Sequence, residues 1–237
     1  MIYYNKTDIR NDEYLNFLER VFREVHRVTK EGRFFILNTS PIIIPRISRQ
    51  HSSKRYPIPY DIHPLLIKMG WEFIDDIVWV KPEASVKNRN AGFLQHRKPL
   101  AYKPNAVTEM LMVYRKKTDK LIDWNIRQYN WDKIEKSKVL EEYETTNVWR
   151  IDPAFDKVHT AVFPIELCNR VIKFYSFVED LIFDPFAGSG TTLLESVIND
   201  FEAYGTEIDN IAKLIIKVKT TPFTKDTRPP GRLPYDV

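Results

Sequence analysis

The chain has 237 residues, 43% of them hydrophobic, so it can bury a full core as one domain or as one domain with a large insertion. Its single cysteine, Cys168, excludes an internal disulfide and a site made only of thiolates, and a reducing cytoplasm is the expected setting. The sequence lacks a run of about 20 apolar residues and a signal-peptide core. We therefore expect no membrane span and no metal site.

The first half of the chain predicts two helices and three strands. Leu15, Leu18, Phe22 and Val25 form one apolar stripe of a helix over 12–30. Proline, serine and basic residues predict a loop between the first strand and the second helix. In chain order, the later elements are a strand over 33–37, the loop over 42–59, a short helix over 60–68 ended by Gly70, and strands over 73–80 and 109–114.

The second half begins with residues 118–150, which mix charged and aromatic side chains with little periodicity and predict a surface insertion. Regular elements then return: a helix over 164–177, a strand over 179–183, a helix over 191–198, a strand over 203–208 and a helix over 210–219. Strands that alternate with helices predict an α/β fold with a mostly parallel, doubly wound sheet. The proline-rich residues 220–237 are predicted to form a tail.

The net charge of +4 is unevenly distributed. Residues 81–117 contain nine Lys and Arg residues against two acidic residues, and a second basic run covers 46–55. Such an excess suits a polyanion, because neutralised phosphates release counterions and so provide most of the non-specific affinity for nucleic acid. A solvated basic face is the alternative interpretation.

The most informative feature is an acidic, glycine-containing turn between a predicted strand and a predicted helix: Asp184-Pro185-Phe186-Ala187-Gly188-Ser189-Gly190-Thr191-Thr192. Glycines allow unusual backbone angles and close approach of a ligand, and the N–H groups at a helix start attract a negative group. The next strand brings Glu207 to the same edge, 23 residues after Asp184. In doubly wound folds, an acidic side chain at about this spacing accepts hydrogen bonds from the ribose hydroxyls. The sequence therefore predicts a site for a nucleotide-like cofactor, with Asp209 as the cap of the following helix.

This turn lacks the third glycine of the dinucleotide fingerprint and the G-K-[ST] ending of a triphosphate loop. It resembles the S-adenosylmethionine motif of the amino-group DNA methyltransferases, which modify adenine or cytosine at the exocyclic nitrogen. Further segments resemble the family and occur in its order: 77–82 with its Trp-Val-Lys, the basic loop around 88–98, and 157–164, which is similar to the family's segment just before the cofactor turn. A cofactor motif near the C-terminus resembles the permuted class called beta. The resemblance implies a Rossmann-like methyltransferase fold with circularly permuted motif order, over about 12–219.

The resemblance also implies site residues and partners. Cofactor contacts would come from the glycine turn, from the end of the strand over 203–208 and from the segment 157–164. The residues are Asp184, Pro185, Phe186, Ala187, Gly188, Ser189, Gly190, Thr191, Glu207, Ile208, His159, Phe163 and Pro164. Contacts to double-stranded DNA would come from basic residues: Arg46, Arg49, Lys54, Arg55, Lys87, Arg89, Arg97 and Lys98. The implied organisation is one methyltransferase domain over 1–219 with a target-recognition insertion at about 84–150, in a cytoplasmic restriction-modification system.

One family segment has no counterpart, the Asp/Ser/Asn-Pro-Pro-aromatic motif that holds the flipped base. The permuted order places it before the first helix, but residues 1–11 contain no Pro-Pro-aromatic, and Thr39-Ser40-Pro41-Ile42 lacks the second proline and the aromatic. The catalytic residues therefore stay unassigned. We expect an absent strand between the cofactor strand and the strand over 33–37, supplied by a missing N-terminal segment or a second polypeptide.

The sequence leaves three functional hypotheses open. The first is a DNA methyltransferase of the beta class. The second is a truncated or degenerate remnant that binds nucleic acid without catalysis, or one part of a split enzyme. The third is an RNA methyltransferase. Because the unmatched motif is where adenine and cytosine enzymes differ most, the target base also stays open.

Overall fold

The computed structural model describes residues 11–44, 54–86, 99–100, 104–143, 145–154 and 164–220. Its strands and helices are, in chain order, α1 (Asn11–Val28), β1 (Phe34–Thr39), β2 (Ile42–Ile44), β3 (Lys54–Tyr56), α2 (Ile58–Met69), β4 (Trp71–Val80), β5 (Thr108–Lys116), α3 (Trp131–Lys136), β6 (Val148–Arg150), α4 (Ile165–Tyr175), β7 (Leu181–Asp184), α5 (Thr191–Ile198), β8 (Glu202–Gly205) and α6 (Asn210–Thr220). Short 3-10 turns occupy Glu83–Ser85 and Ile122–Gln128.

The main strands form two separate sheets. One has the order β1-β5-β4-β6, and the other contains β7 and β8. β5 runs antiparallel to both of its neighbours, whereas β4 pairs with β6, and β7 with β8, in parallel. The prediction of an α/β fold is confirmed. The four-stranded sheet is mixed, because β5 runs against β1 and β4. The direction of β5 depends on long-range pairing that strand periodicity does not report.

The core lies on both faces of β5. Met112 and Tyr114 pack with α1 and α2, whereas Leu111 and Val113 pack with Leu167 of α4. Successive side chains of a strand point to opposite faces, so this one run of apolar residues serves two helix layers. A smaller cluster around Cys168 joins α4 to β7. Burial raises the pKa of the Cys168 thiol to about 12, which marks it as a packing residue.

The predicted loop over 42–59 contains a β-hairpin, because β2 and β3 pair antiparallel with Ile42 opposite Tyr56. Both of these residues pack against the core cluster of α1 and α2. The apolar run Ile42–Ile44 was a strand signal that the surrounding prolines and basic residues obscured. The other predicted elements are present within a few residues of their expected ends. Gly70 ends α2 with φ of 99°, as expected.

Residues 118–143 lie at the edge of the sheets where β1 and β7 begin. The buried Arg115 donates to the carbonyls of Lys120 and Leu121, and Asn125 donates to the carbonyl of Gly32 at 2.7 Å. Farther along, Tyr129 donates to Asp180, the residue just before β7, at 2.7 Å. We call this edge the amino edge and the opposite one, where β1, β4 and β7 end, the carboxyl edge.

None of the helices in the described ranges is long and apolar enough to cross a membrane. The same ranges contain no group of three His, Cys, Asp or Glu side chains that could hold a metal ion.

Candidate cofactor site

The glycine turn begins where β7 ends, at the carboxyl edge. The side chain of Asp184 accepts a hydrogen bond from the Phe186 N–H at 2.9 Å, which starts the turn. The carbonyl of Asp184 and the N–H of Ala187 both bond to Thr206, so the turn is tied to the end of β8. Gly190 has φ of 82° and immediately precedes α5. That positive φ is a conformation that glycine adopts without strain.

Tight packing also requires glycine at two positions around this turn. A Cβ atom on Gly190 would lie 2.7 Å from Cγ1 of Ile216 in α6, and one on Gly205 would lie 2.9 Å from Cδ1 of Leu193 in α5. Lys219, in the last turn of α6, donates to the carbonyl of Ser189 at 3.1 Å. The helix after β8 is therefore packed directly onto the glycine turn.

Glu207 is fixed by backbone donors from both sides of the site. Its Oε2 accepts from the N–H of Gly188 at 2.8 Å, and its Oε1 accepts from the N–H groups of Ile208 and Asp209 at 2.7 and 2.9 Å. Burial raises the pKa of Glu207, but these three hydrogen bonds outweigh it, so that the pKa lies below its ordinary value. The carboxylate is therefore ionised at neutral pH and links the glycine turn to the end of β8.

A cavity of about 340 Å³ lies beside Glu207. It is lined by residues of α5, β8 and α6 and of the segment between β8 and α6: Leu193, Gly205, Thr206, Glu207, Lys213 and Ile216. This volume is at the lower end of the range for ligand sites. Residues 187–191 of the glycine turn are buried and do not line the cavity.

Some of the predicted cofactor residues lie together and others do not. The glycine turn and the end of β8 are joined, as expected, by the hydrogen bond from the N–H of Gly188 to Glu207. Ile208 is exposed, and Pro164 is buried at the start of α4. His159 and Phe163 lie outside the described residues. Asp209 caps α6, as predicted, because its side chain accepts from the N–H groups of Ile211 and Ala212.

Of the predicted DNA contacts, Lys54 and Arg55 are described, and both are exposed on β3. The remaining ones, Arg46, Arg49, Lys87, Arg89, Arg97 and Lys98, lie outside the described residues.

Sequence reasoning missed a polar network at the same carboxyl edge. Glu109 of β5 accepts from Asn38 of β1 at 2.7 Å and pairs with Lys81, which follows β4. Lys81 also lies 4.3 Å from the centre of the Trp79 ring. The three polar side chains lie at adjacent strand ends, but only the antiparallel pairing of β5 brings them together.

Comparison with known proteins identifies the family. The DNA methylase family that contains N6 and N4 methyltransferases matches residues 3–218. The chain is 32% identical over 193 residues to the type II methyltransferase M.ScaI of Streptomyces caespitosus, covering 77% of this chain and 59% of that protein. It is 29% identical over 185 residues to the type II methyltransferase M.MwoI of Methanothermobacter wolfeii, covering 76% and 22%.

Among solved structures, the fold is similar to that of TTHA0409 from Thermus thermophilus in complex with S-adenosyl-L-methionine, with a TM-score of 0.71 at 24% identity. That match covers 88% of this chain and 77% of the other, and it shows the shared fold. The chain thus spans less than two thirds of the two curated relatives named above. The family match covers most of the chain, so the chain belongs to the N6/N4 DNA methylase family.

Proposed function

We propose that this chain carries the cofactor part of an S-adenosylmethionine-dependent DNA methyltransferase that acts on the exocyclic amino group of adenine or cytosine. The observation that supports this most is the connection of the glycine turn to Glu207 at the carboxyl edge, in a chain of the N6/N4 DNA methylase family. Ligands of open α/β sheets bind at this edge.

The proposed contacts follow from the geometry of the site. A carboxylate offers about four acceptor positions, and the three backbone bonds to Glu207 leave room for a ribose hydroxyl. Asp184 would face the ammonium group of the methionine part, and the turn residues after it would surround that part. His159, Phe163 and Pro164 would contribute to the wall of the pocket.

For double-stranded DNA we propose contacts from the basic residues named above, with target recognition from the insertion at 84–150. The exposed Lys54 and Arg55 support the first assignment, because their hairpin follows directly from the carboxyl end of β1. Within the insertion, the contacts of 118–143 lie at the amino edge, which favours a scaffolding role for that part. A restriction-modification system and the cytoplasm are the setting that this proposal implies.

We also propose that methyl transfer needs one more strand between β1 and β7, from an N-terminal segment or a second polypeptide. Support comes from the two separate sheets, because in the described ranges β1 pairs with β5 alone and β7 with β8 alone. The same observation favours a second candidate function, a non-catalytic nucleic-acid-binding protein that retains the fold.

Transfer of label from tritiated S-adenosylmethionine to unmethylated DNA tests the proposal. We expect transfer by the chain once the strand between β1 and β7 is supplied, and none by Gly190→Asp under the same conditions, because its side chain would collide with Ile216. Calorimetry measures cofactor binding separately. Cofactor binding without label transfer would support the non-catalytic candidate, whereas absence of binding would contradict the site assignment. Competition with RNA of the same sequence distinguishes the two nucleic acids.

A further inference from the structure

The polar network at the carboxyl edge contains a hydrogen-bond acceptor that the described part of the chain does not use. Nδ2 of Asn38 donates to Glu109 at 2.7 Å, but Oδ1 of Asn38 is buried and receives no hydrogen bond from any described residue. Buried polar atoms are nearly always hydrogen-bonded, and each exception calls for an explanation. Asn38 is the fifth of the six residues of β1, so this acceptor lies where the strand ends.

The orientation of the Asn38 amide follows from its neighbours. Lys81 forms an ion pair with Glu109, and an ionised carboxylate accepts hydrogen bonds but cannot donate them. The amide must therefore turn its NH2 group toward Glu109, which directs Oδ1 away from that carboxylate. Lys81 is held in turn over the ring of Trp79, 4.3 Å from its centre. These neighbours thus select one orientation of the amide.

The network is partly shielded from water. The side chains of Lys81 and Glu109 are 18% and 24% exposed, and Asn38 is half-buried. Hydrogen bonds in such surroundings are stronger than in water, and an unpaired polar group there is correspondingly costly. A ligand that brings a donor to Oδ1 therefore gains binding free energy.

The network lies on the side of the four-stranded sheet that α4 covers. Side chains alternate between the two faces of a strand, so Asn38 shares a face with Ile36, and Glu109 shares one with Leu111. Ile36 and Leu111 pack in one cluster with Leu167 of α4. The acceptor on Asn38 is therefore on the α4 side of the sheet.

α4 connects this place with the glycine turn. Its last residue, Tyr175, lies against Phe34 at the amino end of β1, so the helix starts near the carboxyl edge. It also contacts α5, the helix that follows the glycine turn, since Nδ2 of Asn169 lies 3.4 Å from Oε2 of Glu195. The acceptor on Asn38 and the glycine turn therefore lie at the same edge, on the side of the sheets that α4 and α5 cover.

We propose that Oδ1 of Asn38 accepts a hydrogen bond from the exocyclic amino group of the target base. This inference rests on the proposed function and assigns one residue of its base site. An amide group has two N–H donors, so one remains for the ring nitrogen next to the amino group. Adenine and cytosine both present an amino group beside an unprotonated ring nitrogen, and an Asn side chain pairs with such an edge of adenine in DNA recognition. Asn38 thus touches the reacting group, whereas Glu109 and Lys81 act through it as positioning residues.

This assignment explains the open acceptor. A site built to bind an N–H group rejects an analogue that lacks it, because a polar atom of the site is then left unpaired. The network therefore selects bases that carry an amino group, and it binds adenine and cytosine through the same atoms of Asn38.

Nucleoside binding tests the assignment without methyl transfer. Saturation-transfer NMR on the full chain compares 2′-deoxyadenosine and 2′-deoxycytidine with their analogues that lack the amino group. Saturating S-adenosylmethionine is present, so that adenosine bound in the cofactor site is not counted. We expect at least one natural nucleoside to bind about tenfold more tightly than its analogue. Equal affinities within both pairs would overturn the proposal.

Three variants locate the effect. Asn38→Leu has a similar size but no amide, so the preference for the amino group should disappear. Glu109→Gln can donate as well as accept, so it no longer fixes the Asn38 amide, and the preference should fall about threefold. This second variant keeps the side-chain shape and gives a result even where Asn38→Leu does not fold.

Thr39→Val is the matched control, because the side chain that follows Asn38 on β1 points to the opposite face. It should keep the full preference. A preference that survives Asn38→Leu, or one that is lost equally in Thr39→Val, would place the amino group elsewhere and overturn the proposal.

The outcome is separate from the test of the proposed function. If calorimetry shows no binding of S-adenosylmethionine, the cofactor assignment fails, but an amino-group preference that depends on Asn38 still stands. If the cofactor binds and the nucleosides show no such preference, the assignment of Asn38 alone is wrong.

Discussion

β5 and β7 have similar apolar sequences but different surroundings. β5 lies between two strands and two helix layers, and five consecutive residues of it are buried. Within the described ranges, β7 has one strand partner, and its residues alternate between exposed and half-buried. The comparison shows that the larger part of the described core is built around β5, in the four-stranded sheet. We call β7, α5, β8 and α6 the cofactor half, and a few tertiary contacts hold it to the rest of the fold. Regions of this kind open locally at a lower free energy than a core.

The largest expected difference in the free energy of unfolding is between a leucine substitution in β5 and one in β7. Leu111→Ala, at a residue 1% exposed, should lower the free energy of unfolding by about 2 to 5 kcal/mol, because the cavity it leaves adds to the lost burial. Leu181→Ala in β7 should cost less than about 0.5 kcal/mol, since its side chain is exposed. Urea unfolding measures both. Similar losses would show that β7 is covered in solution.

Gly190→Ala should disturb the cofactor half selectively. Its Cβ would lie 2.7 Å from Ile216 at a positive φ, so we expect a cost of about 1 to 3 kcal/mol and loss of cofactor binding by calorimetry. Gly32→Ala is the matched control, because φ there is also positive but the nearest side-chain atom is 3.6 Å away. A full loss of binding in the control would contradict this explanation.

Removing the ion pair at the amino edge should uncouple the two regions. Arg33 and Asp180 are 20% and 15% exposed, and Arg33→Met should lower stability by about 1 to 2 kcal/mol, less than for a fully buried pair. Hydrogen exchange should increase in β7 and β8 and stay unchanged in β5. Arg23→Met is the control, because its pair with Glu19 is exposed and lies on α1. Uniform faster exchange across both sheets would argue against a local role.

The smallest effect concerns pH. The pKa of Glu207 is lowered in the folded chain, so the stabilisation it provides is complete above the unfolded value of about 4.3 and is lost as the pH falls through the folded pKa. We expect cofactor affinity to be constant between about pH 8 and pH 5 and to fall only in more acidic solution. In Glu207→Gln, the decrease of cofactor affinity in acidic solution should be absent. A decrease in affinity centred near neutral pH would implicate a different group.

The sequence predicted the elements that local pattern determines. The glycine turn, Glu207 and the cap at Asp209 could be read directly, because each depends on residues within one strand, turn and helix. The hairpin at Ile42 and the direction of β5 could not, since both depend on pairing. The bond between Arg33 and Tyr129 joins residues 96 positions apart, and nothing in either neighbourhood indicates the other.

The packing of α6 onto the glycine turn has a practical consequence for anyone handling this protein. Ile216 and Lys219 contact Gly190 and Ser189, and α6 ends at Thr220. A fusion partner or affinity tag joined directly after α6 would therefore disturb the helix that packs against the glycine turn. Attachment through a long flexible linker would avoid this disturbance.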